Sequence, residues 1–219
     1  MPAVQDFLSP SEILKQVDGR KRVVIEGVQP EVDCGQFPIK RVSGEAVVVE
    51  ADVFSDGHGA PFCQIVYRWD RDNAWTPVPM RALSNDRWRG EFQVSGIGRY
   101  RYTIEAWLDE PGNWRSDLLK RIAAGQDVHL ELLAGAQLME QAAGRTHGED
   151  AERLREWARA LRQERDQERR KEIALRENMM SIAQRYPDQR LIVRYEKELT
   201  VWVDRERARF SSWYELFPR

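Results

Sequence analysis

Two pairs of side chains in this 219-residue sequence have the types and spacing to do chemistry. His58 follows Asp56 by two positions in SDGHGAP, an arrangement that suits a base beside a carboxylate that orients it. No nucleophile is placed nearby, and the surrounding serine, aspartate and glycines read as an exposed turn. Asp70 and Asp72 in WDRDNAW start like a calcium-binding loop. That loop needs glycine at its sixth position and glutamate at its twelfth, where this chain has Trp75 and Arg81. A hairpin turn centred on Asp72–Asn73 accounts for these residues instead.

Other chemistry finds no motif. The three histidines, His58, His129 and His147, are far apart, and the chain contains no HExxH and no CxxC. There is no GxxxxGK[ST], no GxSxG, and no GxGxxG leading from a strand into a helix. Gly96-Ile97-Gly98 precedes a strand pattern, so no helix N-terminus follows it to hold a phosphate. The sequence therefore assigns no catalytic, substrate-binding or metal-ligating residue, and it implies no cofactor.

Composition narrows the partners. Lys+Arg (34) and Asp+Glu (36) nearly cancel, which points to neither nucleic acid nor an anionic membrane surface. No apolar run reaches the roughly 20 residues of a membrane helix. The opening MPAVQDFLSP lacks a basic stretch followed by an apolar one, so no secretion signal is read and a cytoplasmic location is expected. Cys34 and Cys63 are then expected to stay reduced, although spacing alone leaves a bridge between them open. Cys63 alternates into an apolar strand face, and Cys34 sits beside Gly35 in a turn-like stretch.

The eight tryptophans admit two readings. Trp107 and Trp202 each fall on the more polar face of a strand, where an aromatic ring can stack on a sugar. Alternatively they are covered by helices or by another domain, since large apolar groups on a polar face mark contact surfaces. Trp157 can anchor a helix–helix contact within one chain or between two.

The elements that must position these residues fall into three blocks. Residues 22–108 read as strands. Val47, Val49, Ala51 and Val53 share one face, as do Cys63, Ile65, Tyr67 and Trp69. Trp88, Phe92 and Val94 share another, and Tyr100, Tyr102, Ile104, Ala106 and Leu108 alternate with polar neighbours. Turn residues separate the runs at Ser55–Gly59, Asp70–Asn73, Ser84–Asp86 and Ser95–Gly96. Gaps this short exclude crossover helices, so the strands pair antiparallel. Near Pro111 the period changes. Helices are expected over 114–124 and 127–143, the latter with Leu130, Leu133, Leu138 and Met139 on one side and Gly135 as a weak point. After the breaker GRTHGED, one long helical stretch is expected over 149–187. It carries apolar residues at Leu154, Trp157, Ala158 and Leu161, none over 162–172, and more at Ile173, Leu175, Met179, Met180 and Ile182. Asp166 with Arg170, and Glu172 with Arg176, have helical i,i+4 spacing. Strand patterns return in LTVWVD (199–204) and ARFSSWYEL (208–216), with DRER as a hairpin loop between them. Two strands alone are marginal in water, so they are expected to rejoin the earlier sheet.

Several segments resemble one family in order and spacing. These are IEGVQPEVDCGQFPIKRVSGEAVVVEADVFSDGH (25–58), NDRWRGEF, GRYRYTIEAWLD, AAGQDVHLELL and LTVWVDRERARFSSWYELFPR. They look like the N-terminal region of the bacterial α-1,4-glucan:maltose-1-phosphate maltosyltransferases, α-amylase-like glycosyltransferases. The resemblance implies an α+β fold: an antiparallel immunoglobulin-like β-sandwich (20–111 and 190–219) with an inserted α-helical bundle (112–189), after an N-terminal leader (1–19). In the family a catalytic (β/α)₈ barrel follows and holds the catalytic residues, so none of them matches a position here. The resemblance further implies a homodimer through the sandwich and helices. The full enzyme would bind maltose 1-phosphate and α-glucan and act in glycogen-type α-glucan biosynthesis. The expected role of this chain is dimerisation and support of the barrel, inactive alone, with its terminal aromatics (Phe210, Trp213, Tyr214, Phe217) packing on that missing barrel. The alternative is a glucan-binding β-sandwich module.

Overall fold

A computed structural model describes residues 19–210. The expected leader, save Gly19, and the strand residues 211–216 with Trp213, Tyr214 and Phe217 lie outside the described residues. The fold is α+β, with two mostly antiparallel sheets and five α-helices among the described residues. The chain divides into two compact units. One takes Val24–Phe54, Pro61–Ala106 and residues from Val193 onward; the other takes residues up to Val23, Ser55–Ala60 and Trp107–Ile192.

The first unit holds the sheets. Strands β1 (Val23–Gln29), β3 (Ala46–Ser55), β7 (Arg87–Gln93) and β6 (Arg81–Ala82) form one, in that order. The other has the order β2 (Ile39–Val42), β10 (Leu199–Asp204), β8 (Gly98–Leu108), β4 (Pro61–Trp69), β5 (Thr76–Pro79), with β9 (Val193–Arg194) paired to β8. The alternation read from the sequence is the one the fold buries: Val47, Val49, Ala51 and Val53 are fully buried, as are Cys63, Ile65 and Ile104. Phe92 of β7 stacks on Tyr67 of β4 with ring centroids 4.3 Å apart, and its centroid lies 5.7 Å from that of Tyr102 on β8. Aromatic pairs of this kind add about 0.5–1.5 kcal/mol beyond area burial.

Turn chemistry sets the register. Asn85 and Asp86 both take left-handed backbone angles (φ 54° and 59°) between β6 and β7, as a tight hairpin requires. The β4–β5 hairpin is present, with a hydrogen-bonded turn over Asp70–Arg71, where Asp72 N donates to Trp69 O at 2.9 Å. The loop 70–75 between the two strands has Asp72–Asn73 at its middle, as expected, and Asp70 at its start accepts from Arg101 at 2.9 Å.

LTVWVD does rejoin the strand block: β10 pairs antiparallel with β8 and parallel with β2. Of the expected hairpin after it, only residues up to 210 are described. Glu206–Arg209 is a short 3-10 helix, and residues 208–210 carry no strand. The arginine and glutamate side chains of 205–209 remain solvated, with Arg209 reaching Glu45 at 3.0 Å.

The second unit is helical: α1 (Glu110–Ala123), α2 (His129–Ala143), α3 (Gly148–Gln163), α4 (Gln167–Ala174) and α5 (Glu177–Gln184). Helix α1 starts four residues before the expected point, because Asp109 caps it by accepting from Gly112 N at 3.0 Å and Pro111 suits its first turn. Helix α2 runs unbroken through Gly135. Its buried face is Leu132, Gly135, Ala136, Met139, Ala142 and Ala143, whereas Leu130 is 73 % exposed. The expected face was thus off in phase.

The long helix expected over 149–187 is three helices. Helix α3 stops at Gln163, and Asp166 caps α4 by accepting from the backbone N–H groups of Glu168 and Arg169. A second break at Leu175–Arg176 separates α4 from α5. The expected helical side-chain pairs are therefore replaced. The Arg170 guanidinium turns inward, donates from Nε to Leu161 O at 2.8 Å, and meets His129 Nδ1 at 3.2 Å. The apolar stripes fall where expected: Leu154, Ala158 and Leu161 of α3, with Ile173, Met179, Met180 and Ile182, join one core with Leu118, Leu132 and Met139.

Candidate functional site

The side chains singled out for chemistry do not come together. His58 is exposed, and its neighbour Asp56 pairs with Arg22 at 2.7 Å. Asp70 is occupied by Arg101 and Arg99 on β8. His129 contacts Arg170, and His147 precedes α3. No group of three or more His, Cys, Asp or Glu side chains among the described residues is arranged to hold a metal ion. Both cysteines are free thiols: Cys34 is exposed, and Cys63 is buried, which pushes its thiol up to about 12.

The two tryptophan candidates separate. Trp202 is 40 % exposed on β10, in register with Lys40 on one side and Arg99 on the other. Trp107 is 7 % exposed, so it offers no open ring face. Trp157 is partly buried against the helical core of its own chain.

Trp107 instead lines a cleft of about 380 Å³ in the helical unit, a size near the lower end for small-molecule pockets. Three elements shape it. The start of α1 contributes Glu110 and Pro111, the end of α2 contributes Leu138, Ala142 and the following Arg145, and the end of α5 contributes Gln184 with the turn Tyr186–Asp188. Local chemistry fixes each part. Asp109, the α1 cap, also accepts from Gln184 Nε2 at 2.7 Å, which ties α1 to α5. Burial raises the Asp109 pKa, against the lowering effect of these two hydrogen bonds. Tyr186 donates from its hydroxyl to Asp150 Oδ2 at 2.6 Å, and its carbonyl accepts from Arg145 Nη1 at 3.2 Å. Asp188 is gripped by Arg190 through two side-chain hydrogen bonds (3.0 and 2.7 Å) and by the Arg190 backbone N–H. Those bonds hold its carboxyl well below the usual aspartate range.

The cleft therefore presents donors, acceptors and apolar walls side by side, with most of its charges paired. It has the make-up of a binding site. Glu110 and Asp188 are the two carboxylates of its lining, and Asp188 is tied to Arg190. Sequence reading missed Glu110, Arg145, Gln184 and Asp188 because they come from four separated segments with no shared motif. The only local trace is the Asp-x-Arg of YPDQR, which forms the Asp188–Arg190 pair.

Comparison with known proteins gives the family. The family described as "Alpha-1,4-glucan:maltose-1-phosphate maltosyltransferase, domain N/S" matches residues 21–205. A maltosyltransferase of that name from Myxococcus xanthus is 46 % identical over 205 residues, covering 90 % of this chain and 31 % of the relative. One from Chlorobaculum tepidum is 40 % identical over 216 residues, covering 98 % of this chain and 32 % of the relative. Enzyme 1 of the same name from Streptomyces coelicolor is 36 % identical over 223 residues, covering 100 % and 33 %. The chain thus spans about a third of the length of these curated relatives.

Proposed function

The chain belongs to the α-1,4-glucan:maltose-1-phosphate maltosyltransferase family, matching its domain N/S, and from that membership we propose that it is the non-catalytic N-terminal part of such an enzyme. The observation that carries this reading is the match over 21–205 to a domain that fills only about a third of each relative. In this reading the two sheets form an immunoglobulin-like β-sandwich over 20–111 and 190–219. The helices of 112–189 are a bundle inserted into it, and residues 1–19 are a leader. The sandwich and helices dimerise and support a catalytic barrel. The whole enzyme transfers maltose from maltose 1-phosphate to α-1,4-glucan in the cytoplasm, for glycogen-type glucan synthesis. Two experiments test this: incubation of the chain alone with maltose 1-phosphate and glycogen releases no phosphate, and sedimentation equilibrium gives a dimer. Phosphate release, or a strict monomer at high concentration, counts against it.

A second reading, a glucan-binding module, has one observation in its favour. Trp202 stays 40 % exposed between two cationic neighbours on the sheet. Trp202→Ala abolishes maltoheptaose binding if this reading is right and leaves it unchanged if not.

A further inference from the structure

We propose that the cleft bounded by the first turn of α1, the end of α2 and the Tyr186–Asp188 turn binds a short neutral saccharide, an α-1,4-linked segment of about two rings. The choice of an α-1,4-glucan rests on the family reading above; the choice of a neutral sugar rests on the cleft.

Size comes first. At about 380 Å³ the space suits a ligand of one or two sugar rings and excludes a folded peptide segment. Charge comes next. The cleft is lined by three arginines, Arg20, Arg22 and Arg145, and two carboxylates, Glu110 and Asp188; Arg22 is spent on Asp56, Asp188 on Arg190, and Arg20 is itself engaged. A phosphate would ask for several uncommitted cations. Arg145 donates one hydrogen bond, to Tyr186 O, and its other N–H groups make none among the described residues. One such arginine serves a hydroxyl better than it serves a dianion.

Hydroxyl chemistry then matches the rest. A sugar hydroxyl both donates and accepts. Glu110 and Asp188 are acceptors, and Gln184 spends its amide nitrogen on Asp109 and keeps its carbonyl oxygen as a further acceptor. Arg145 supplies donors. Between these polar groups lie Pro111, Leu138, Pro187 and Leu191, apolar walls against which the C–H faces of a pyranose can pack. Tyr186 is held in place by Asp150 and Arg145, so its side of the cleft is formed before a ligand arrives.

The test is titration of the 219-residue chain with maltotriose, followed by calorimetry and by amide chemical shifts. Saturable binding is expected, with shifts at Gln184, Tyr186 and Arg145. The Glu110→Gln/Arg145→Ala double variant should weaken binding tenfold or more, with its fold checked by circular dichroism. Trp202→Ala should not change it. If the double variant fails to fold, the shift map on the unaltered chain decides. Absence of saturable binding, shifts confined to β10, or tighter binding of inorganic phosphate or maltose 1-phosphate than of maltotriose would each overturn the proposal. The family reading has its own assay, phosphate release by the assembled enzyme. Failure of saccharide binding with that assay intact therefore removes the cleft proposal alone.

Discussion

Gly135 of α2 lies against the indole of Trp114 on α1, so close that a Cβ on the glycine would stand 2.1 Å from Trp114 Cζ2. The indole is fixed there by a hydrogen bond from Nε1 to Glu131 O at 2.7 Å. Two effects oppose each other at this position. Helix propensity favours alanine over glycine by about 1 kcal/mol. Overpacking against a pinned ring costs about 1–3 kcal/mol. Sterics should win, so Gly135→Ala is expected to destabilise the chain in urea denaturation. In a Trp114→Ala background the same change should become neutral or stabilising. Destabilisation of equal size in both backgrounds would contradict the contact.

Asp166 marks the start of α4 and the break that ends the long charged helix. Asp166→Ala should cost about 1 kcal/mol, the usual value of a lost N-cap. Asp166→Asn should recover most of it, since the amide oxygen still accepts from the backbone. Urea midpoints of the two variants check this. If 162–172 were one continuous helix, alanine would instead be the more stable choice.

These two sites also show where the sequence was readable. In β3 every second residue from Val47 to Val53 is apolar, one face is buried, and no other register satisfies that pattern. In α2 apolar residues are too dense over 130–139 for a single phase, and adjacent Leu132 and Leu133 allow two. Contact with Trp114 selects the phase that places Gly135 inward and leaves Leu130 in water. The break at 164–166 sits in a run with no apolar residue, so periodicity has nothing to register there. Only the capping capacity of Asp166 signals it. The cleft is the least legible part, because Glu110, Arg145, Gln184 and Asp188 meet only after the helices pack.

Thiol chemistry should separate the cysteines. Cys34 is exposed, while burial pushes Cys63 up to about 12. A thiolate-selective reagent at neutral pH should titrate one thiol in the native protein and two in denaturant. Two rapidly reacting native thiols would contradict the buried position of Cys63.

The Asp188–Arg190 pair has a defined pH signature. The folded pKa of Asp188 lies below its ordinary 3.8, so the unfolded chain takes up the proton first as pH falls. The stabilisation is present above 3.8 and is lost as pH drops below it toward the folded value. Asp188→Asn should therefore lower the thermal midpoint near neutral pH, and the gap to the unaltered chain should narrow by about pH 3. A gap independent of pH would contradict the pair.

The supporting role is tested most directly in an active relative. The Myxococcus xanthus enzyme, truncated by the third that this chain matches, would be assayed for phosphate release from maltose 1-phosphate with glycogen, with and without this chain supplied separately. The expected result is little release from the truncated enzyme and recovery when the chain is added or fused in place. Full activity of the truncated enzyme on its own would contradict the role proposed for this domain.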